Sequence, residues 1–174
     1  PISDANCVVS AIEHDAVLAP AKQYQHRLAP VQTDGRIDLA ALEAAIDEKT
    51  VLVSVMYANN EIGTVQPLKE AARIIQKVRA ERQRKASSDT NYQILPIYLH
   101  TDACQAANYL PLLVGTLGVD LMTLNGGKIY GPKQSGVLFV RTGVALSPVI
   151  HGGGHERGMR SGTENVAAII GFAK

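Results

Sequence analysis

An α/β fold, with a mostly parallel sheet and helices on both faces, is the architecture this sequence predicts. Two patterns predict it: short apolar runs of strand length, and stretches of helical period between them. Residues 51–57 (VLVSVMY) form a continuous Val-rich run, the pattern of a strand buried on both faces. Residues 94–99 (ILPIYL), 119–124 (VDLMTL) and 136–141 (GVLFVR) repeat the signal, although Pro96 weakens the start of the first of these three.

The helical stretches follow in order. Residues 15–28 read as helical, with Pro20 obscuring the boundary. Asp38 is placed to cap a helix whose Leu39, Leu42 and Ile46 share one face. Pro67 suits the first turn of another, with Leu68, Ala71, Ala72, Ile75 and Val78 as its apolar stripe. Residues 81–93 (ERQRKASSDTNYQ) are polar and aperiodic, and read as a frayed helix end followed by an exposed loop. Right-handed crossovers then set the loops that follow the strands along one edge, where open α/β sheets bind ligands.

The composition narrows the function. With 174 residues, 46% hydrophobic and 19% charged, the chain suits one globular domain rather than a disordered one. A net charge of +1 gives no bulk attraction for nucleic acid. No apolar run reaches the roughly 20 residues of a membrane helix, and no signal-peptide pattern is visible. Two cysteines, Cys7 and Cys104, lack both a disulfide framework and metal-ligand spacing, and fit a reducing cytoplasmic setting. The chain opens on Pro1 rather than Met, and residues 163–172 read as a helix barely begun. The expectation is a central piece of a longer polypeptide.

Three strand ends carry the chemistry. Run 51–57 leads into Ala58-Asn59-Asn60-Glu61-Ile62-Gly63, and run 94–99 into His100-Thr101-Asp102-Ala103-Cys104-Gln105. Run 119–124 leads into Asn125-Gly126-Gly127-Lys128-Ile129-Tyr130-Gly131-Pro132-Lys133. On a parallel sheet an Asn pair, an Asp with a Gln, and a Lys among glycines converge on one crevice. That set suits pyridoxal phosphate: a Lys amine for its aldehyde and a carboxylate for its ring nitrogen. An amide donor can serve its phenolic oxygen, and Gly-rich turns with backbone N–H groups its phosphate. Each residue alone also has a plainer reading. Lys128 can be a solvated strand end, Asp102 a helix N-cap, Asn59-Asn60 turn residues, and His14 a surface histidine. The joint placement is what favours the cofactor. In residues 151–163 (HGGGHERGMRSGT), His151 and His155 find no third metal ligand at fitting spacing, so no metal is expected. Arg157, Arg160 and the Ser161-Gly162-Thr163 helix start suit an anion better.

Together, Glu13-His14, Asn59 to Gly63, Asp102 to Gln105, Lys128 to Lys133 and His151 to Thr163 resemble the cysteine desulfurases. Those are class V aminotransferases, of fold type I among pyridoxal-phosphate enzymes. The resemblance runs from about Val8 to the end and points to the iron–sulfur-cluster and nitrogen-fixation branch. It implies that residues 1–174 are the central part of the cofactor-binding large domain, without its N-terminal segment and small domain. It implies that Lys128 binds the cofactor covalently and moves protons at the substrate α-carbon. Asp102 would pair with the ring nitrogen, His14 would stack on the ring, and Asn60 and Gln105 would contact the ring oxygen side. Asn125 and Gly127 would hold the phosphate, and Thr163 would reach the phosphate of a neighbouring subunit in a homodimer. The implied reaction takes L-cysteine to L-alanine and leaves sulfur as a persulfide on an enzyme cysteine. That sulfur would feed iron–sulfur scaffold or other acceptor proteins.

Three departures from the family pattern stand out. Its usual Ser-x-His-Lys is Asn125-Gly126-Gly127-Lys128 here, a loss on the order of 1–3 kcal/mol of cofactor affinity unless backbone donors compensate. Its persulfide cysteine has no match in Cys7 or Cys104, and the polar segment near 82–93 is longer than usual. The alternatives are another class V enzyme, such as a selenocysteine lyase or an aminotransferase, and a non-catalytic module keeping the fold.

Overall fold

The structure is a computed structural model that describes residues 4–174; Pro1, on which part of the fragment expectation rests, lies outside them. A six-stranded sheet has the order β2-β1-β3-β4-β5-β6. Its strands are β1 (Asn6–Ser10), β2 (Gln25–Ala29), β3 (Thr50–Ser54), β4 (Tyr98–Asp102), β5 (Leu121–Asn125) and β6 (Gly136–Val140). The first five run parallel, and β6 returns antiparallel beside β5. The helices are α1 (Asp15–Ala21), α2 (Leu39–Ala45), α3 (Leu68–Ser88), α4 (Val114–Leu117) and α5 (Val166–Ala173).

Alternation along the strands divides the side chains between two faces. Val8, Val53, Val55, Leu99 and Met122 join Leu42 of α2, Leu68, Ala71, Ala72 and Ile75 of α3, and Leu117 of α4 in the main core. Cys7 and Val9 point the other way and meet Ala21, Val17 and Leu18 of α1. The sheet is therefore covered on both faces, as the sequence predicts, with α1 alone over the second core.

Asp38 caps α2 as expected, its Oδ1 accepting from Ala40 N at 2.9 Å and Ala41 N at 3.0 Å. Three expectations are corrected. Residues 15–28 are not one helix: α1 stops at Ala21, just after Pro20, and Gln25–Ala29 form β2. This strand has β1 on one side only, so three of its five residues are exposed and it lacks an apolar run. The 94–99 run begins its strand only at Tyr98, because Pro96 has no N–H for a ladder. Residues 81–88 are not frayed, and the exposed loop expected here is confined to residues 89–93. Residues 81–88 continue α3, where Arg82 is buried and donates to the carbonyls of Leu95, Asp47 and Thr50 at 2.7–2.9 Å. A strand also forms where none is expected: β1, five buried residues between β2 and β3.

Candidate functional site

The carboxyl ends of β1, β3, β4 and β5 lie at one edge because these strands are parallel. Asp102 is the last residue of β4, opposite Thr123 of β5, and two residues further along β5 stands Asn125. A three-residue 3-10 turn, Gly126–Lys128, follows at once, so Lys128 leaves the sheet one strand away from Asp102. The two residues thus leave the same edge of the sheet from neighbouring strands. The Cys104 thiol is pushed up to about 12, first by burial and then by its bond to Asp102 and that charge, against the opposing pull of Lys128.

Asp102 is pinned by its own backbone. Its carbonyl accepts from Tyr57 N at 2.8 Å, and the next N–H, of Ala103, donates to Thr123 O at 3.0 Å. Its Oδ1 accepts from Cys104 N at 2.9 Å, closing a turn rather than capping a helix. The Asn pair splits in role. Asn59 is buried and structural: Oδ1 accepts from Glu61 N and Ile62 N, and Nδ2 donates to Ile12 O at 2.9 Å. Asn60 is exposed and shares a groove of roughly 270 Å³ with Gln105, Gly63 and Tyr109.

His14 is the N-cap of α1, its Nδ1 accepting from Ala16 N at 3.1 Å. That bond leaves the Nε2 edge of the ring outward. The Asn59–Ile12 bond ties this turn to the end of β3. Six of the eight candidate residues (Asn60, Asp102, Gln105, Asn125, Gly127, Lys128) therefore stand at or just after the ends of adjacent strands, with His14 beyond β1. Thr163 stands apart. It is exposed, two residues before the Asn165 cap of α5, and no hydrogen bond joins it to the others.

The turn before Lys128 is tightly constrained. Gly126 N donates to Ser135 O at 2.9 Å, and Gly127 N donates to Asn125 Oδ1 at 2.8 Å. Both N–H groups expected to serve a phosphate therefore already have partners, which leaves the Asn125 amide nitrogen as the donor at that position. A Cβ at Gly126 would collide with the Ser135 hydroxyl and stand 2.7 Å from Phe172 Cδ2 of α5. At Gly127 a Cβ would meet nothing closer than Asn125 Oδ1 at 3.2 Å.

Sequence reasoning missed a buried polar row beneath this edge. Glu13 is 5% exposed, with Oε1 3.4 Å from Ser54 Oγ and Oε2 without any hydrogen-bond partner. Burial pushes its carboxyl up to about 8, helped by the nearby charge of Asp102 and opposed by hydrogen bonding from the Met56 backbone and the Ser54 hydroxyl. Ser54 Oγ lies 2.8 Å from His100 Nδ1, and His100 Nε2 lies 3.1 Å from Thr123 Oγ1. Burial holds His100 below the usual histidine range, against the charge of Asp102. A Glu beside His14 and a His two residues before Asp102 were the available signals. By its chemistry the donor set fits pyridoxal phosphate: an exposed amine, a fixed carboxylate, a ring histidine, and two amides that line one groove.

The family profile described as "Aminotransferase class-V" matches residues 3–82 and 90–174. The interruption falls in the last turns of α3, so the segment that looks long in the sequence is an extended helix. A protein of Archaeoglobus fulgidus named "Cysteine desulfurase IscS 1" is 44% identical over 172 residues, covering 96% of this chain and 40% of the relative. A "Cysteine desulfurase IscS" of Dictyoglomus turgidum is 39% identical over 96% of this chain and 39% of its own. Among solved structures, a NifS-like protein from Rickettsia africae superimposes with a TM-score of 0.83 at 32% identity, covering 98% of this chain and 44% of that one. A structure titled "SspA in complex with cysteine" gives 0.84 at 30% identity, over 98% and 47%. The chain spans about 40% of the length of these curated relatives. On the match along nearly its whole length, the chain belongs to the class-V aminotransferase family.

Proposed function

We propose that this chain is the cofactor-holding part of a pyridoxal-phosphate-dependent cysteine desulfurase, which takes L-cysteine to L-alanine and passes the sulfur to a cysteine thiol. The observation that carries the reading is the arrangement of Asp102 and Lys128, at and just after the ends of the neighbouring parallel strands β4 and β5. The cofactor, when bound, supplies an electron sink for the substrate α-carbon. Lys128 holds it and moves the proton at that carbon, and Asp102 keeps the ring nitrogen protonated. His14, fixed through Nδ1, offers a flat ring to stack and Nε2 to relay a proton. Asn60 and Gln105 line the groove on the ring-oxygen side, and Asn125 and Gly127 lie on the phosphate side.

Neither cysteine of this chain suits the role of sulfur acceptor. Cys7 is buried and its thiol is raised by burial, and the Cys104 thiol, at about 12, stays protonated at neutral pH. The acceptor cysteine is therefore a different residue. The relatives are named desulfurases, and one structural neighbour is titled as holding cysteine, which supports this substrate over other amino acids. In this reading Thr163, exposed ahead of α5, contacts the phosphate in a second subunit of a homodimer.

The test is spectroscopic and kinetic. The protein with bound cofactor absorbs visible light, and Lys128→Ala abolishes that absorbance; colour surviving in the variant would refute the role of Lys128. Asp102→Ala retains cofactor but loses about 10²-fold or more in turnover, because a fixed charge facing developing charge is removed.

A further inference from the structure

Most buried charged groups outside the site are fully served. Asp120 accepts from Arg79 Nη2 at 2.5 Å and from Leu99 N at 2.8 Å, and Arg82 donates to three carbonyls. Glu13 is the exception: the sole buried side-chain polar atom without a partner among the described residues is its Oε2. Glu13 is joined through Ser54 to His100, and through His100 to Thr123, whose Oγ1 lies 3.5 Å from Thr101 O.

Counting donors gives the row a direction. With Glu13 protonated, its O–H donates to Ser54, Ser54 donates to His100 Nδ1, His100 Nε2–H donates to Thr123, and Thr123 donates to Thr101 O. Ser54, His100 and Thr123 then each donate once and accept once, with Glu13 as the first donor. With Glu13 ionised, Ser54 must donate to Glu13 instead. His100 must then carry its proton on Nδ1, Thr123 must turn its hydroxyl toward Nε2, and Thr101 O loses its donor. His100 and Asp102 stand two residues apart on β4, hence on the same sheet face, and Thr123 is the register partner of Asp102. The row therefore lies beside the carboxylate on the same face of the sheet.

We infer that Glu13, Ser54, His100 and Thr123 form a buried hydrogen-bond row that positions Asp102 and leaves it as the single formal charge on the floor of the cofactor site. The inference rests on the cofactor reading above and adds His100 and Glu13 to it as positioning residues. Asp102 on β4 is the titratable group whose charge acts on both Glu13 and His100; Cys104, Lys128, His14 and Asp15 are the other titratable groups on the neighbouring segments. Neutrality of Glu13 and His100 matters because a protonated His100 would compete with the ring nitrogen for Asp102. An ionised Glu13 would set a second negative charge beside it. The upward displacement of Glu13 and the downward displacement of His100 both favour the uncharged forms at neutral pH.

The experiment uses the intact protein with pyridoxal phosphate bound and follows its absorbance against pH, together with the 15N shifts of the His100 ring. The unmodified protein shows a spectral transition near pH 8, where Glu13 ionises, and the His100 proton moves from Nε2 to Nδ1 with the same midpoint. Glu13→Gln, neutral and of the same shape, removes the transition and locks the Nε2–H tautomer. His100→Phe weakens cofactor binding about tenfold, the effect of one lost buried hydrogen-bond partner, and His100→Asn, which restores a polar group near the Nδ1 position, recovers part of it. A purely structural role would lower melting temperatures without moving the midpoint. An unchanged transition in Glu13→Gln, or a His100 tautomer that ignores Glu13, overturns the inference while the cofactor reading stands. Failure of the unmodified protein to bind pyridoxal phosphate overturns both.

Discussion

Glu13 concentrates the electrostatics of this molecule in one carboxyl. Its value is about 8 in the folded chain against 4.5 when solvated, so the folded state binds the extra proton between those limits. Stability therefore falls as pH rises through that window, and the loss is complete above about pH 8. Melting curves at pH 6 and pH 9 should separate the unmodified protein from Glu13→Gln, the latter losing less on the alkaline side by up to a few kcal/mol. Equal losses in the two proteins would contradict the assigned shift. The same scale decides the turn before Lys128. Asn125 Oδ1 occupies the N–H of Gly127, so replacing Asn125 by Ser and Gly127 by His keeps a cap acceptor while adding a hydroxyl and, once Oδ1 is gone, an imidazole where a Cβ has room. The double variant should bind pyridoxal phosphate about tenfold more tightly, in line with roughly 1–3 kcal/mol for regained charge-assisted contacts; equilibrium titration of the absorbance measures it.

At the level of elements, two positions carry more than their neighbours. Gly126→Ala forces a methyl into Ser135, Phe172 and the Pro132 carbonyl, and should cost about 1–3 kcal/mol through overpacking. Because it shifts the turn that presents Lys128, cofactor affinity should fall with stability; a variant that melts normally would disprove the crowding. Arg82→Ala removes a donor from the carbonyls of Leu95, Asp47 and Thr50, of which Asp47 O keeps the N–H of Thr50, and a loss of about 1–3 kcal/mol in denaturant unfolding is expected. These two elements also show what was legible. The helix of Asp38 and the stripe from Leu68 to Val78 announce themselves by cap and period, and the 51–57 run by its continuous apolar character. The last turns of α3 do not: their order comes from Arg82 reaching carbonyls far away in sequence, and from the ion pair of Lys85 with Glu48. Nor does β2, an edge strand whose exposed residues carry no pattern.

Over the whole molecule, apolar exposure gathers on β6 and α5: Val137, Leu138, Val140, Val166, Ile169 and Ile170 are all exposed. An edge strand and a helix with open apolar faces favour association. The 174-residue chain on its own should sediment as more than a monomer, and Leu138→Lys with Ile169→Lys should shift it toward monomer; a monomer before substitution would refute this. The candidate chemistry was largely legible because residue types follow strand ends: an Asp, a Lys and paired amides after apolar runs already imply a shared edge on a parallel sheet. Thr163 was not joined to that edge within one chain. What the sequence determined by itself is the alternation of helix and strand from Asp38 to β6 and the residues at those strand ends, since periodicity and caps are local; β1 and β2 were not among them. Only the tertiary structure decided that Glu13, Ser54, His100 and Thr123 lie in one row beside Asp102. Strand register, fixed by packing across the sheet rather than by any local signal, brings those four distant residues within hydrogen-bond reach.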